Sequence, residues 1–122
     1  MTYKEFNKFC KSLPATTHVI QWGNSDVWKI GGKVFAIGGW ENADKPSFTF
    51  KTSEQNFHFL CESPGYRPAP YLASRGMKWI QQYNAPPSED EDLRYYIKES
   101  YRIVSLGLSK KKQKELGIYQ EQ

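Results

Sequence analysis

The chain has 122 residues, enough for one packed core and too few for two. Charged residues make up 25% and aromatic residues 16%, which marks an ordinary globular domain. A formal charge of +4 favours polyanions only mildly and identifies no partner by itself. The opening MTYKEFNKFC carries Lys4, Glu5 and Lys8 without an apolar run, so neither a secretory signal nor a membrane span is expected, and a cytoplasmic monomer is the default.

The first predicted element is a helix. Thr2 and Glu5 stand at capping-box spacing, Phe6, Phe9, Cys10 and Leu13 form one apolar stripe, and Pro14 follows the end. From Thr17 to Thr52 the periodicity falls to two. THVIQW, DVWKI, KVFAIGG and SFTFKT read as a four-stranded antiparallel meander separated by GNS, GG and ENADKP, with Gly31 and Gly32 as a tight hairpin. Ser53 to Glu62 is the second predicted helix, with Phe57, Leu60 and Cys61 inward.

Pro64, Pro68 and Pro70 then exclude a helix interior and favour an extended path, with Gly65 and Gly76 as its flexible points. A further strand is predicted over MKWIQQY, Met77 to Tyr83. NAPPSEDED follows as a loop, in which Ser88 and Glu91 are spaced for a capping box and the acidic run Glu89 to Asp92 suits a helix start. The last helix is predicted to run to about Leu108, burying Leu93, Ile97, Tyr101, Val104 and Leu108. The whole, residues 1–122, is one domain, with residues 113–122 expected as a frayed tail.

Catalytic signatures are missing, and an enzyme is not expected. GGKVFAIGG has neither dinucleotide nor P-loop spacing. His18, His58, Cys10 and Cys61 stand at no metal-ligand spacing, so no metal or other cofactor is expected. The histidines read as partly buried and hydrogen-bonded, and the cysteines as reduced core residues. Trp28 and Trp79 read as core anchors, whereas Trp22 and Trp40, nearer strand ends, read as partly exposed.

PGYRPAPYLASRGMKWI from Pro64 to Ile80, together with QWG, VWKIGGKVFAIGG, FTFK and SYRIVSLGLSKK, resembles the MmcQ/YjbR family. The resemblance implies a frataxin-like (CyaY-like) fold: α+β, a two-layer sandwich with helices on one face of an antiparallel sheet. Members are usually described as candidate DNA-binding proteins, and the family pattern matches at Lys33, Lys51 and Trp79. Frataxin-like iron handling is not implied, because the first helix carries Lys4, Lys8 and Lys11 against Glu5 alone.

Two basic surfaces are candidates for DNA. One combines Lys29, Lys33 and Lys51 with Arg67, Tyr71, Arg75 and Lys78, where a hairpin wing would meet phosphates and aromatic rings would stack on unpaired bases, the mode the resemblance implies. The other is the stripe Arg94, Lys98 and Arg102 on the last helix, extended by Lys110, Lys111, Lys112 and Lys114. The alternative function is a protein-interaction or small-ligand-binding domain using an aromatic cleft between the proline-rich segment and the sheet.

Overall fold

The structure, a computed structural model, describes residues 1–40 and 45–119, with the backbone alone at Ser74. Residues 41–44 of the expected ENADKP connection and residues 120–122 of the expected tail lie outside the described residues. One antiparallel sheet has the strand order β1-β2-β3-β4-β6-β5. Its strands are β1 Thr16–Gln21, β2 Ser25–Ile30, β3 Lys33–Gly38, β4 Phe48–Lys51, β5 Tyr66–Pro68 and β6 Trp79–Gln82. The expected meander therefore forms, and the proline-rich segment adds β5, which pairs with β6 at the edge and keeps Pro68 at its end.

Four helices, α1 Tyr3–Ser12, α2 Glu54–Cys61, α3 Asp90–Leu106 and α4 Lys110–Glu115, lie on one face of this sheet. The core between the layers joins Phe6 and Cys10 of α1, Leu60 of α2 and Leu93, Ile97 and Val104 of α3 to Trp28, Ile30, Phe48, Phe50 and Ile80 of the strands. α1 starts at the predicted box: the Thr2 hydroxyl accepts from the Glu5 amide at 3.1 Å and the Glu5 carboxylate accepts from the Thr2 amide at 3.0 Å. The Trp28 indole donates to Asn7 Oδ1 at 2.8 Å, which satisfies the buried donor and fixes α1 to β2.

The far end of the chain departs from expectation at three points. Ser88 does not cap α3, because Pro86 and Pro87 start a short 3-10 turn over Pro87–Glu89 and shift the helix start to Asp90. Asp90 meets the N-terminal ammonium of Met1 at 2.8 Å. The predicted last helix forms as α3 and stops at Leu106, and a further, unforeseen helix α4 follows, started by the Ser109 hydroxyl accepting from the Lys112 amide at 3.1 Å. Gln113, where the tail was expected to fray, is buried and donates to the Leu108 carbonyl at 2.8 Å. Both histidines are exposed rather than partly buried, although His18 is hydrogen-bonded to Asp26 at 2.9 Å as expected.

β3 contains the decisive irregularity. Trp28 faces Ala36 and Lys29 faces Val34, so Phe35 has no partner on β2 and is the extra residue of a bulge. The bulge lets consecutive residues Phe35 and Ala36 both reach the core, where each is fully buried. It also ends the β3–β4 ladder at Ala36 and Phe50, leaving the next positions, Phe35 and Lys51, unpaired. Ser100 of α3 fills that gap: its buried hydroxyl donates to the Phe35 carbonyl at 2.6 Å and accepts from the Lys51 amide at 2.8 Å.

Ser100→Ala is expected to destabilise the fold by about 2–3 kcal/mol, because two buried backbone groups lose their partner at once. Urea unfolding followed by tryptophan fluorescence measures it. A second expectation concerns Tyr66, whose phenol is pushed up to about 12 by burial, against a hydrogen bond from Gln82 that acts the other way. The folded state therefore holds this proton where the unfolded chain releases it, so stability should be intact below about pH 10 and fall as pH rises through 12. A Tyr66→Phe variant should lose less stability over that interval.

Candidate nucleic-acid interface

Because side chains alternate across a strand, the register sorts the candidates by face. Lys29, Lys51 and Arg67 fall on the side away from the helices, with Val27, Ile37, Thr49, Trp79 and Gln81. Lys33 faces Ile30, a core residue, so it belongs to the helix side and reaches solvent only because the Gly31–Gly32 hairpin ends there. Within the six strands the one acidic residue is Asp26, and it pairs with His18 on the helix side. The strand residues of the helix-free face thus carry positive charge only.

The upper part of this face is organised around Gln81, which is fully buried. Its amide nitrogen donates to the Trp40 carbonyl at 2.8 Å, and its oxygen accepts from Arg67 Nε at 2.8 Å. Arg67 also lies over the Tyr83 ring, 4.6 Å from its centre, which fixes the guanidinium at the β5 edge. Trp40 returns across the sheet from the end of β3, and its indole donates to the Pro70 carbonyl at 3.1 Å. That contact spans the expected cleft between the proline-rich segment and the sheet. Trp22 meets Trp40 edge to face at 5.6 Å, and Tyr71 follows Pro70, so three aromatic residues border the face.

Lys51 lies at the lower end, held through its amide by Ser100, with Trp79 as its register partner on β6. Trp79 is 5% exposed, and its indole nitrogen finds no acceptor among the described residues. Lys29 stands on the other flank of β3. Arg75 ends a 3-10 turn, Ala73–Arg75, beyond Tyr71.

The remaining candidates lie elsewhere. Lys78 sits over the Phe57 ring of α2 at 4.9 Å, on the helix side. Arg94, Lys98 and Arg102 belong to α3, one whole layer away from Lys29 and Lys51, and Arg102 is held by Glu99 in two bonds of 2.9 and 3.1 Å. Lys98 and Arg102 instead border a groove of about 980 Å³ between α1, α3 and the end of the chain, lined by Phe9, Tyr95, Tyr101 and Ile118. Trp22 and Trp40 were foreseen as partly exposed but not as part of a site. Their signal was positional, each standing beside the glycine of a strand end.

Among the described residues no three histidine, cysteine, aspartate or glutamate side chains converge on a metal position, and no helix is long and apolar enough to cross a membrane.

An antiparallel sheet with helices on one side and a basic, aromatic-bordered face on the other defines a two-layer α+β domain. The YjbR family model matches residues 11–103, and the chain belongs to that family. Among solved structures it is similar to the Deinococcus radiodurans protein DR2400, a DUF419 domain, at 21% identity and a TM-score of 0.80, over 97% of this chain and 89% of that one. It is also similar to a Pseudomonas syringae protein at 18% identity and a TM-score of 0.66, over 84% of this chain and 98% of that one. These likenesses establish the fold. No curated protein matches the chain.

Trp79 supplies a test of what the face tolerates. Trp79→Ala should cost about 3–5 kcal/mol, the usual loss for a buried large aromatic. Trp79→Phe should stay within about 1.5 kcal/mol, since it keeps most of the ring and removes a donor that has no partner. Paired denaturation curves decide, and equal losses for the two variants would mean that the indole nitrogen is satisfied in solution.

Proposed function

We propose that the protein is a non-enzymatic nucleic-acid-binding module that meets phosphates with the helix-free face of its sheet. The observation that carries this is the common orientation of Lys29, Lys51 and Arg67 on a face whose strands present no carboxylate. Three cations on one rigid sheet can neutralise neighbouring phosphates and release their counterions without reading sequence. Arg75 lies beyond Tyr71, whereas Lys33, at the hairpin tip, belongs to the helix side. The α3 stripe is a separate matter. Arg102 is spent on Glu99, and Lys98 points away from the face, so neither is expected to help bind the same ligand.

Lys29→Ala, Lys51→Ala and Arg67→Ala should each weaken DNA binding for all sequences alike. Each lost contact should reduce the slope of log affinity against log salt by about 0.9 on duplex or 0.7 on single strands. Lys98→Ala should behave like the parent. Fluorescence anisotropy across a salt series provides the measurement, and unchanged slopes for the three face variants would reject the assignment.

A further inference from the structure

We infer that the outer edge of β1 takes an acidic, extended peptide segment as an added strand of the sheet, guided there by the lysines of α1. The inference lies outside the nucleic-acid reading, because it uses the rim of the sheet and the helical layer. Its first support is an open edge. β1 is the outermost strand, and none of its backbone groups bonds a described residue outside β2. A row of unpaired amides and carbonyls is a template for another strand, and soluble proteins ordinarily guard it with lysine, proline, a bulge or shortness.

The opposite edge shows such guards, and β1 shows none. β5 has 3 residues, carries Arg67 and ends at Pro68, whereas β1 has 6, TTHVIQ, without lysine, arginine or proline. Its register with β2 is unbroken from Thr16 to Gln21. Ile20 adds an apolar side chain that is 60% exposed at this rim.

The second support is the charge beside the edge. Phe6 packs on Phe48 of β4 and Asn7 holds Trp28 of β2, so the flank of α1 beyond Asn7 overlooks β1. The Thr16 hydroxyl, at 3.1 Å from the Cys10 and Leu13 carbonyls, pins the strand beneath the end of the helix. Lys4 and Lys11 share the flank of Asn7 by helical spacing, with Lys8 next to them, and none of the three forms an ion pair among the described residues. Glu5 falls on the other flank, tied to Thr2. The one carboxylate of β1 and β2, Asp26, is engaged by His18 at 2.9 Å.

Together these features choose the occupant. Pairing with a strand edge requires another polypeptide backbone, which a nucleic acid does not have, and uncompensated lysines favour carboxylates. A second copy pairing β1 with β1 would bring two lysine flanks together across the two-fold axis, which like charges oppose. In the added strand alternate positions face the α1 side with His18 and Ile20, and the acids belong there.

The test uses a capped peptide of about eight residues in which glutamate alternates with valine, and the same peptide with lysine in place of glutamate. Two further forms of the glutamate peptide are methylated on the backbone nitrogens of the valines or of the glutamates. The glutamate peptide should protect β1 amides from hydrogen exchange and bind less tightly as salt rises. The lysine peptide should bind about tenfold or more weaker. Because a strand pairs through one edge only, one methylated form should lose about tenfold or more while the other keeps its affinity. Lys4→Gln combined with Lys11→Gln should cost the glutamate peptide about fivefold with the urea midpoint unchanged, since both residues are exposed.

Equal affinity for the two charge forms, equal affinity for the two methylated forms, or protection that misses β1 overturns the inference. A dimer in sedimentation velocity that protects β1 without peptide also overturns it, since the edge then belongs to a second copy. Failure of the glutamate peptide to bind at millimolar concentration overturns it whatever DNA does, because the edge and the helix-free face are separate surfaces.

Discussion

The hydroxyl of Ser100 is the point at which the two layers become one structure. A six-stranded sheet with a bulge in its third strand leaves a ladder position empty, and an empty position in a buried sheet means two polar groups without partners. The α3 helix supplies one oxygen that both donates and accepts, so the gap between Phe35 and Lys51 closes through a side chain from the other layer. Serine is the right size for this. The bulge, in turn, is what lets Phe35 and Ala36 both enter the core, and Phe35 meets Tyr101 of the same helix edge to face at 5.4 Å. Remove the hydroxyl and the register of β3, the seating of α3 and the position of Lys51 lose a common anchor.

That coupling also explains how a small domain keeps a usable outer face. Lys51 is anchored through its backbone from the helix side, which leaves its side chain free to point the other way. Arg67 is fixed differently, by Gln81 and Tyr83 on its own face. Gln81 is fully buried and fully engaged, and its bonds tie Trp40 to the sheet. A buried amide with good partners holds geometry more firmly than an apolar residue of equal volume, because breaking any bond strands a polar group. The face is therefore preorganised by polar bonds at its upper end and by the interlayer bridge at its lower end.

Much of this was legible in the sequence, where a local rule coincides with the tertiary outcome. Thr2 and Glu5 cap α1 because nothing else competes for those groups, and Gly31 and Gly32 make the hairpin with φ values of 59° and 82°. Ser88 failed as a cap because two prolines beside it impose their own turn, a conflict that spacing alone does not rank. Lys33 shows the same limit. It is close to Lys29 in sequence, yet the two-residue hairpin sets Lys33 opposite Ile30 and Lys29 opposite Val34, which sends the two to opposite sides. Gln81 gave no signal at all, since a glutamine in a strand reads as a solvent-facing residue until its partners are known.

The net charge is a poor guide to what this protein meets, and its distribution is a better one. The helical layer mixes signs: Glu99 holds Arg102, and Asp90 holds the N-terminal ammonium. Lys114 of α4 lies over the Tyr119 ring at 4.8 Å. On the strands of the other face the cations have no carboxylate among them. A surface kept positive on a rigid sheet carries an electrostatic cost that compensating acids would remove. Trp22 and Tyr71 add a backbone cost at its border, where glycine would be easier to accommodate. The main cluster lies on the opposite side of the sheet, although Val27, Ile37 and Trp79 are buried on this one. Both penalties fall on the side of the sheet that packs no helix, where Lys29, Lys51 and Arg67 share a face with Val27, Ile37 and Trp79.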